Sequence, residues 1–459
     1  MIVMDQKKVG AEVQGELFKR RLAEIPDAER VLTLQEKLYQ KAKQERGYKF
    51  YVLYDKMFIP YMLREAWKKV KANGGSPGVD QVSISDVENI GVETYLKELG
   101  EELRKQTYLP QAVKRVMIPK ANGGERPLGI PTVRDRIAQT VCKMILEPIF
   151  EADFEDSSYG FRPNRSAKDA ITAIKGNLKQ GKTTVYDADL SKYFDTIPHD
   201  KLLITLKERI TDPRILKLIN KWLKVSVYED GKYTSGKGKR MGTPQGGVIS
   251  PLLANIYFHL VDRIVNDPKS LFAKYGIQIV RYADDFVLMG KTLPAEVIEK
   301  LRSLLNRMGL TINETKTRQI DARNERFHFL GFTIRYDNDI KGRNFKYWNV
   351  IPSTKSEQKI RDKVKEYLRS HGHCKAQDVV TGLNMIMRGW LNYFEIKEVS
   401  YPAMSKRRLG FYLSHCLNRY YKRKSQRKCR LYGHDAFGIL TIRYGLIDPS
   451  KYALQKVRL

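Results

Sequence analysis

The segment RYADDFVLMG (281–290) sets two adjacent aspartates, Asp284 and Asp285, inside an otherwise apolar run. Burying an unpaired carboxylate is strongly unfavourable. A chain that keeps this pair must give it a turn, a counter-charge or a cation. The residues on both sides read as strand, which sets the pair at the tight turn of a hairpin. Alternation along a strand sends neighbouring side chains to opposite faces, so one carboxylate can share a site with an acid from elsewhere. VYDADLSKYFD (185–195) offers such acids: Asp187, Asp189 and Asp195 close a β-rich run, with Asp187 and Asp189 on one face. Carboxylates gathered from distant segments repel one another unless a cation lies between them. Mg²⁺ suits such a site, because it takes oxygen ligands, keeps waters and is held by one or two carboxylates plus substrate phosphates. Two such ions about 4 Å apart activate an attacking hydroxyl and stabilise a leaving pyrophosphate. A bare pair of aspartates, taken alone, is also what an exposed β-turn presents.

The partner is constrained by charge. The chain holds 83 Lys and Arg against 52 Asp and Glu, a formal charge of +31 over 459 residues. That excess points to a polyanion: nucleic acid first, an anionic membrane second. Its distribution is uneven. Residues 401–459 carry 14 Lys and Arg against 2 Asp, a net of +12, whereas residues 1–50 carry only +3. KRKSQRKCR (422–430) is the densest part, and no acid is interspersed in it as a solvated helix face would require. No run of eighteen apolar residues exists, so no membrane span is expected. The N-terminus lacks a hydrophobic signal core. Cys142, Cys374, Cys416 and Cys429 are scattered and form no disulfide framework. A reducing cytoplasm is the expected compartment.

Periodicity divides the chain into a mixed α/β stretch up to about residue 335 and a helical remainder. Residues 28–72 read as helical, with Leu34, Leu38 and Ala42 on one face. Pro/Gly loops follow at 73–80 and 119–131, then a helix over 167–178 and the strand TTVYDADL. A hairpin-like region spans 226–241. After RYADDFVLMG come a helix over 294–308, a strand near 317–320 and FHFLGFTI (327–334). Beyond 355, Val379, Val380, Leu383, Ile386, Met387, Trp390, Leu391 and Phe394 recur at helical spacing.

Several blocks then read together. IPKANGGERPLGIPTVRDRIAQ (118–139), SSYGFRPNRSAKDAI (157–171), DLSKYFD, GTPQGGVISPLLANIYF (242–258), RYADD, GLTINETKT (309–317) and FLGF (329–332) follow one another in this order. In these blocks the chain resembles the reverse transcriptase–maturases encoded by bacterial group II introns, over about residues 35–445. The resemblance implies a right-hand polymerase: α/β fingers and palm followed by an all-helical thumb, or maturase domain X. The implied boundaries are an N-terminal helical extension with the first loop (1–85), fingers and palm (86–340), thumb (350–445) and a short tail (446–459). It implies RNA-directed DNA synthesis from dNTPs with two Mg²⁺, on an RNA template with a DNA or RNA primer. It also implies binding of a group II intron RNA and assistance to splicing and mobility, with a DNA target as a further partner. Two alternatives remain open at this point: an intron-free cellular reverse transcriptase serving defence or repair, and a non-enzymatic splicing cofactor.

The resemblance also assigns residues. Asp189 matches the first metal-binding carboxylate, and Asp284 and Asp285 match the catalytic pair. Lys120 and Arg126 match the fingers residues that hold the triphosphate, a point charge beside a planar fork. Gln245 lies in a loop where Gly242, Gly246 and Gly247 are expected to let the backbone approach the nascent base pair. Ser250 is expected to cap a helix that Pro251 begins, with Leu252, Leu253, Ile256 and Leu260 as its buried face. Lys316 matches a lysine that assists pyrophosphate departure, and FLGF matches the primer grip. Phe194 occupies the position of the ring that excludes a nucleotide 2′-hydroxyl, with Tyr193 as its rival one residue away.

Two signals are discounted. GNLKQGKT (176–183) has the spacing of a phosphate loop, but a helix precedes it and a strand follows, the reverse of what that loop needs. HGHC (371–374) has no second ligand cluster at zinc-like spacing. Many members of the resembled family end in a zinc-supported HNH endonuclease. The residues after 430 are too few for one and lack paired cysteines, so neither that domain nor zinc is expected. In the thumb, GLNMIMRGWLNYF (382–394) is expected to pack its apolar stripe into the core, and 403–430 to meet RNA.

Overall fold

The computed structural model describes residues 25–119, 123–339, 342–424, 431 and 433–453. Along the chain run α1 (Asp27–Gln44), α2 (Pro60–Asn73), β1 (Val113–Pro119), β2 (Glu125–Ile130), α3 (Val133–Glu151) and α4 (Ala167–Lys179). Next come β3 (Thr184–Ala188), β4 (Val227–Glu229), β5 (Lys232–Thr234), α5 (Ser250–Asn266), β6 (Gln278–Tyr282), β7 (Asp285–Gly290) and α6 (Ala295–Met308). β8 (Arg318–Asp321), β9 (Phe327–Phe329), β10 (Phe332–Asn338) and β11 (Lys346–Pro352) follow. Last are α7 (Thr354–Ser370), α8 (Ala376–Phe394), α9 (Ala403–Arg423) and α10 (Ala436–Tyr444). The class is the mixed α/β body with a helical C-terminal part that the periodicity predicts. No helix among the described residues is long and apolar enough to cross a membrane.

The chain forms two compact units. The first comprises residues 1–163, 190–264 and 299–312. It holds a sheet of order β2-β1-β4-β5, in which β1 and β2 form an antiparallel hairpin and β1 runs parallel to β4. The helix expected over 28–72 is interrupted here. Phe50 leaves helical geometry to exchange backbone hydrogen bonds with Arg209 and Thr211, at 2.7 and 2.8 Å. Asp212 then accepts from the N–H groups of Leu53 and Tyr54, at 2.8 and 2.9 Å. These long-range bonds outcompete local helix, and Pro60 starts α2 afresh at its first position. Leu38 and Ala42 are buried as expected, joined by Val31, while Leu34 is half-buried.

The second unit comprises residues 164–189, 265–298 and 313–459. Its central sheet has the order β6-β7-β3-β8, every neighbour antiparallel. In β7 all five residues after Asp285 are buried, which explains its unbroken apolar run. A second sheet, β11-β10-β9, turns at Leu330 and Gly331, with Phe329 opposite Phe332. Both turn residues have positive φ, 48° and 80°, the geometry that a two-residue hairpin turn of type I′ requires. A Cβ on Gly331 would come within 2.9 Å of Ser356 Oγ, so the FLGF tip is pressed onto α7. Tyr393 on α8 donates to the Leu330 carbonyl at 2.9 Å.

The helical part of this unit packs Val364, Leu368, Val379, Leu383, Met387, Leu391, Leu413 and Leu417 into one core. Trp390 is half-buried against it, packs at a tilt against Phe394 with centroids 5.0 Å apart, and donates to the Ser356 carbonyl at 3.3 Å. Its ring is therefore a packing group, as the helical stripe predicts.

Candidate active site

Strand register brings the carboxylates together in the second unit. Ala188, the last residue of β3, lies opposite Phe286, the second of β7. Asp189 follows directly on that pair, and its charge acts on the Asp285 carboxyl. Across the β6–β7 turn Tyr282 pairs with Asp285, leaving Ala283 and Asp284 as the two-residue tip. This is the hairpin turn that the sequence predicts. Ala283 adopts φ 60°, a conformation costing a residue with a Cβ roughly 1–2 kcal/mol. Arg281, fully buried, donates to the Ala283 carbonyl at 2.9 Å and supports the turn from beneath.

Asp189 is held from its other side by the turn over 313–317. The Asn313 N–H donates to the Asp189 carbonyl at 2.8 Å, and Asn313 Nδ2 donates to Asp189 Oδ2 at 3.2 Å. The Asp189 N–H donates to Thr317 Oγ1 at 3.3 Å. Lys316 Nζ donates to the same Oδ2 at 2.8 Å. Asn313, which none of the motif assignments names, thus holds Asp189 through both its backbone and its side chain. Its signal was present, because an Asn three residues before a Lys in a polar turn offers the geometry of a side-chain-closed turn.

The electrostatics follow from the crowding. Asp285 keeps a face to solvent, yet the surrounding protein limits its hydration. That burial, with repulsion from Asp284, Asp189 and Asp187, pushes its carboxyl up to about 7. Asp187 is pushed up to about 6, by burial first, with Arg318 opposing and Asp189 adding to the rise. The Lys316 ammonium is raised, chiefly by its hydrogen bond to Asp189. Among the described residues no three His, Cys, Asp or Glu side chains converge tightly enough to hold an ion unaided. The donors still fit a hard divalent cation that draws its remaining ligands from substrate phosphates and water. All are carboxylate oxygens, their mutual repulsion favours a cation, and an ammonium already neutralises Asp189.

The first unit carries the other predicted residues, apart from Lys120, which lies outside the described residues. Arg126 sits on β2 opposite Ile118. Its Nε donates to Gln245 Oε1 at 3.2 Å, and Gln245 Nε2 donates to Asp195 Oδ2 at 2.9 Å. The Gly loop is seated on the protein's own backbone. Gly246 has φ 103°, and a Cβ there would stand 2.0 Å from the Gly129 carbonyl oxygen. The Gly129 N–H in turn donates to the Gln245 carbonyl at 2.6 Å. A Cβ on Gly242 would meet the Asp195 backbone at 2.9 Å. These two glycines are needed for close approach to the protein's own backbone. Ser250 departs from expectation: it is already helical, and its hydroxyl donates to the Pro244 carbonyl at 2.9 Å instead of capping α5. Leu252, Leu253 and Ile256 are buried and Leu260 half-buried, as that helix's apolar positions predict.

Tyr193 and Phe194 are distinguished by their surroundings. Tyr193 is 2% exposed, donates to the Ala254 carbonyl at 2.6 Å and packs edge-on against Phe258. Phe194 is half-exposed, while its carbonyl accepts from the Thr243 N–H at 2.7 Å. Tyr193 is thus committed to the core, while Phe194, edge-on to the Tyr193 ring with centroids 5.6 Å apart, keeps part of its own ring exposed.

Residues 118–334 match the family described as "Reverse transcriptase (RNA-dependent DNA polymerase)", and residues 357–433 match "Group II intron, maturase-specific domain". Similar proteins include Protein YkfC of Escherichia coli, 36% identical over 312 residues, which cover 60% of this chain and 80% of that protein. The Group II intron-encoded protein LtrA of Lactococcus lactis is 34% identical over 242 residues, 52% of this chain and 39% of LtrA. The uncharacterized 91 kDa protein in the cob intron of Schizosaccharomyces pombe is 27% identical over 432 residues, 78% of this chain and 53% of that protein. The chain therefore spans four-fifths of the first relative and about half or less of the other two. With a reverse transcriptase body around the Asp189–Asp285 sheet and a maturase domain on the helices beyond it, the chain belongs to the group II intron-encoded reverse transcriptases, right-hand RNA-directed DNA polymerases.

Proposed function

We propose that this chain extends a DNA or RNA primer on an RNA template, consuming dNTPs, and that it binds a group II intron RNA to assist splicing and mobility at a DNA target. The observation that carries the polymerase reading is the meeting of Asp189 with the Asp284–Asp285 hairpin at adjoining strand ends. Asp189, Asp284 and Asp285 would hold two Mg²⁺, which when bound favour ionisation of the primer 3′-hydroxyl and stabilise charge on the departing pyrophosphate. Lys316 keeps Asp189 oriented and carries a proton at Nζ that it delivers towards the pyrophosphate. Arg126, steadied by Gln245, grips the triphosphate together with Lys120. The Leu330–Gly331 turn lies against the primer. Fingers and palm occupy 86–340 and the thumb 350–445, after an N-terminal extension (1–85) and before a short tail. The scattered cysteines suit work in the cytoplasm.

Phe194 excludes the nucleotide 2′-hydroxyl. Phe194→Val is expected to admit ribonucleotides and leave folding stability near wild type. Tyr193→Val should cost about 3 kcal/mol, from a lost buried ring and its lost hydrogen bond to the Ala254 carbonyl. Ribonucleotide incorporation and denaturant melts together decide the matter. If Tyr193→Val accepts rNTPs and Phe194→Val rejects them, the gate is Tyr193.

The intron reading is tested at the basic end of α9. Lys422 and Arg423 are exposed there, and Arg427 and Lys428 lie outside the described residues. Lys424 is left unchanged, because it donates to the Cys374 carbonyl in the turn before α8. Neutralising Lys422, Arg423, Arg427 and Lys428 should flatten the slope of log K against log[salt] by about two to four contacts' worth. It should impair splicing more than primer extension. The intron flanking the gene is the RNA to use, beside an unrelated RNA of equal length. Equal binding to both, with splicing untouched by the neutralisation, leaves an intron-free reverse transcriptase instead.

A further inference from the structure

Helix α9 is two-faced. Leu409, Leu413, Leu417 and Tyr421 enter the helical core, while Met404, Arg408, Phe411 and His415 are exposed at spacings of four, three and four. Phe411 is 79% exposed in the middle of this stripe. With Met404, also exposed, it makes an apolar strip on a basic helix face, the kind of surface that a binding partner covers. Its neighbours say which kind. Arg361 on α7 and Arg407, Arg408, Tyr412 and His415 on α9 line one groove with it.

The arginines are preorganised. Glu357, 9% exposed, accepts from Ser405 Oγ at 2.6 Å and from Arg361 Nη2 at 3.4 Å, and pairs with Arg408 at 3.6 Å. The Arg361 guanidinium lies over the Tyr412 ring, 5.7 Å from its centroid, and the Tyr412 hydroxyl donates to the Arg361 carbonyl at 3.3 Å. One carboxylate thus fastens two guanidinium groups, and the groove keeps a net charge of +2 from Arg361, Arg407, Arg408 and Glu357. Asp362, the other carboxylate near Tyr412, already accepts from Gln358 at 2.9 Å.

We propose that the Phe411 groove is a stacking site for one unpaired RNA base, with Arg361, Arg407 and Arg408 taking the flanking phosphates. An apolar protein surface would meet three guanidinium groups around a single ring, a poor match. A continuous duplex would leave that ring nothing to stack on, since A-form bases are already stacked and only shallow edges face outward. An extruded base satisfies both halves of the groove: its π-face covers Phe411 and its backbone meets the charge. The inference rests on RNA binding by this domain and adds the structural class that it selects, a bulge or loop nucleotide.

The test uses the full-length chain and an RNA stem-loop with one bulged 2-aminopurine, beside the same stem fully paired. The bulged RNA should bind more tightly, with its fluorescence quenched as the base stacks. Phe411→Ala should weaken the bulged probe by roughly 5- to 150-fold, abolish the quenching and leave both the paired stem and the salt slope unchanged. Phe411→Trp should retain binding. Arg407→Gln with Arg408→Gln should instead reduce the salt slope by about 1 to 2. Equal affinity of wild type and Phe411→Ala for the bulged RNA overturns the proposal. So does a change of oligomeric state in Phe411→Ala, which would make the groove a contact between copies. Should Phe411→Ala keep full preference for the folded intron, this site falls and the intron reading stands. A wild type without that preference removes the intron reading alone.

Discussion

Asp284→Asn is expected to lose cDNA synthesis by roughly 10³-fold or more, because several kcal/mol of transition-state stabilisation depend on the charge held there. Folding and RNA binding should persist. The side chain sits at the tip of a two-residue turn, and an amide of the same shape leaves the β6–β7 ladder intact. Asp285→Asn should behave alike in catalysis. It should also hold or raise the melting temperature of metal-free protein, because it removes one member of the like-charged group of Asp187, Asp189, Asp284 and Asp285. Primer extension on an RNA template measures the first effect, and calorimetry in chelator the second. Near-normal extension by Asp284→Asn would mean that the reacting groups lie elsewhere. Splicing of the intron, by contrast, should survive Asp284→Asn, the reverse of what neutralising the α9 basic end does.

A methyl group at position 246 should be nearly as damaging. Gly246→Ala forces a Cβ to within 2.0 Å of the Gly129 carbonyl oxygen and strains a backbone with φ 103°. The loop can accept it only by leaving β2, which breaks the 2.6 Å bond from the Gly129 N–H to the Gln245 carbonyl. Strain and lost packing together should cost about 2–4 kcal/mol. The displaced Gln245 would no longer steady Arg126, so the KM for dNTP should rise about tenfold, corresponding to roughly 1.4 kcal/mol. Gly176→Ala is the control. That glycine lies within α4, has no heavy atom within 4 Å of the added Cβ, and should gain up to about 1 kcal/mol from helix propensity. A Gly246→Ala protein with wild-type melting and KM would show that the loop is not seated on β2 in solution.

Much of the β6-β7-β3-β8 sheet was legible because its signals are short-range. The unbroken apolar run of 286–289 marks a strand covered on both faces, and β7 is buried throughout those residues. Asp284 could only be a turn residue between two such strands. Period-two alternation in 185–189 put Asp187 and Asp189 on one side, and both now act electrostatically on Asp285. In the helical domain the 3.6-residue stripe of 379–394 identified the core side of α8. The less readable features are those in which a distant segment outbids a local preference. The helix expected to continue past Gln44 gives way to Arg209, Thr211 and Asp212, because Phe50, Leu53 and Tyr54 gain backbone partners there that they could not keep in a helix. Ser250 forgoes the cap for the Pro244 carbonyl.

Composition and local pattern therefore specify which segments are strands or helices, which acids stand at turns, and that the partner is a polyanion. They act through solvent, sterics and repulsion between neighbours along the chain, all of which a linear string records. Folding alone decides what lies across from what. Asn313 and Lys316 reach Asp189 from 124 and 127 residues away, the Gly129 carbonyl leaves no room for a Cβ at position 246, and Phe411 becomes a stacking candidate only when α7 sets Arg361 alongside. Such contacts carry no periodicity, because each is a single meeting of two segments whose separation in sequence is set by everything folded between them.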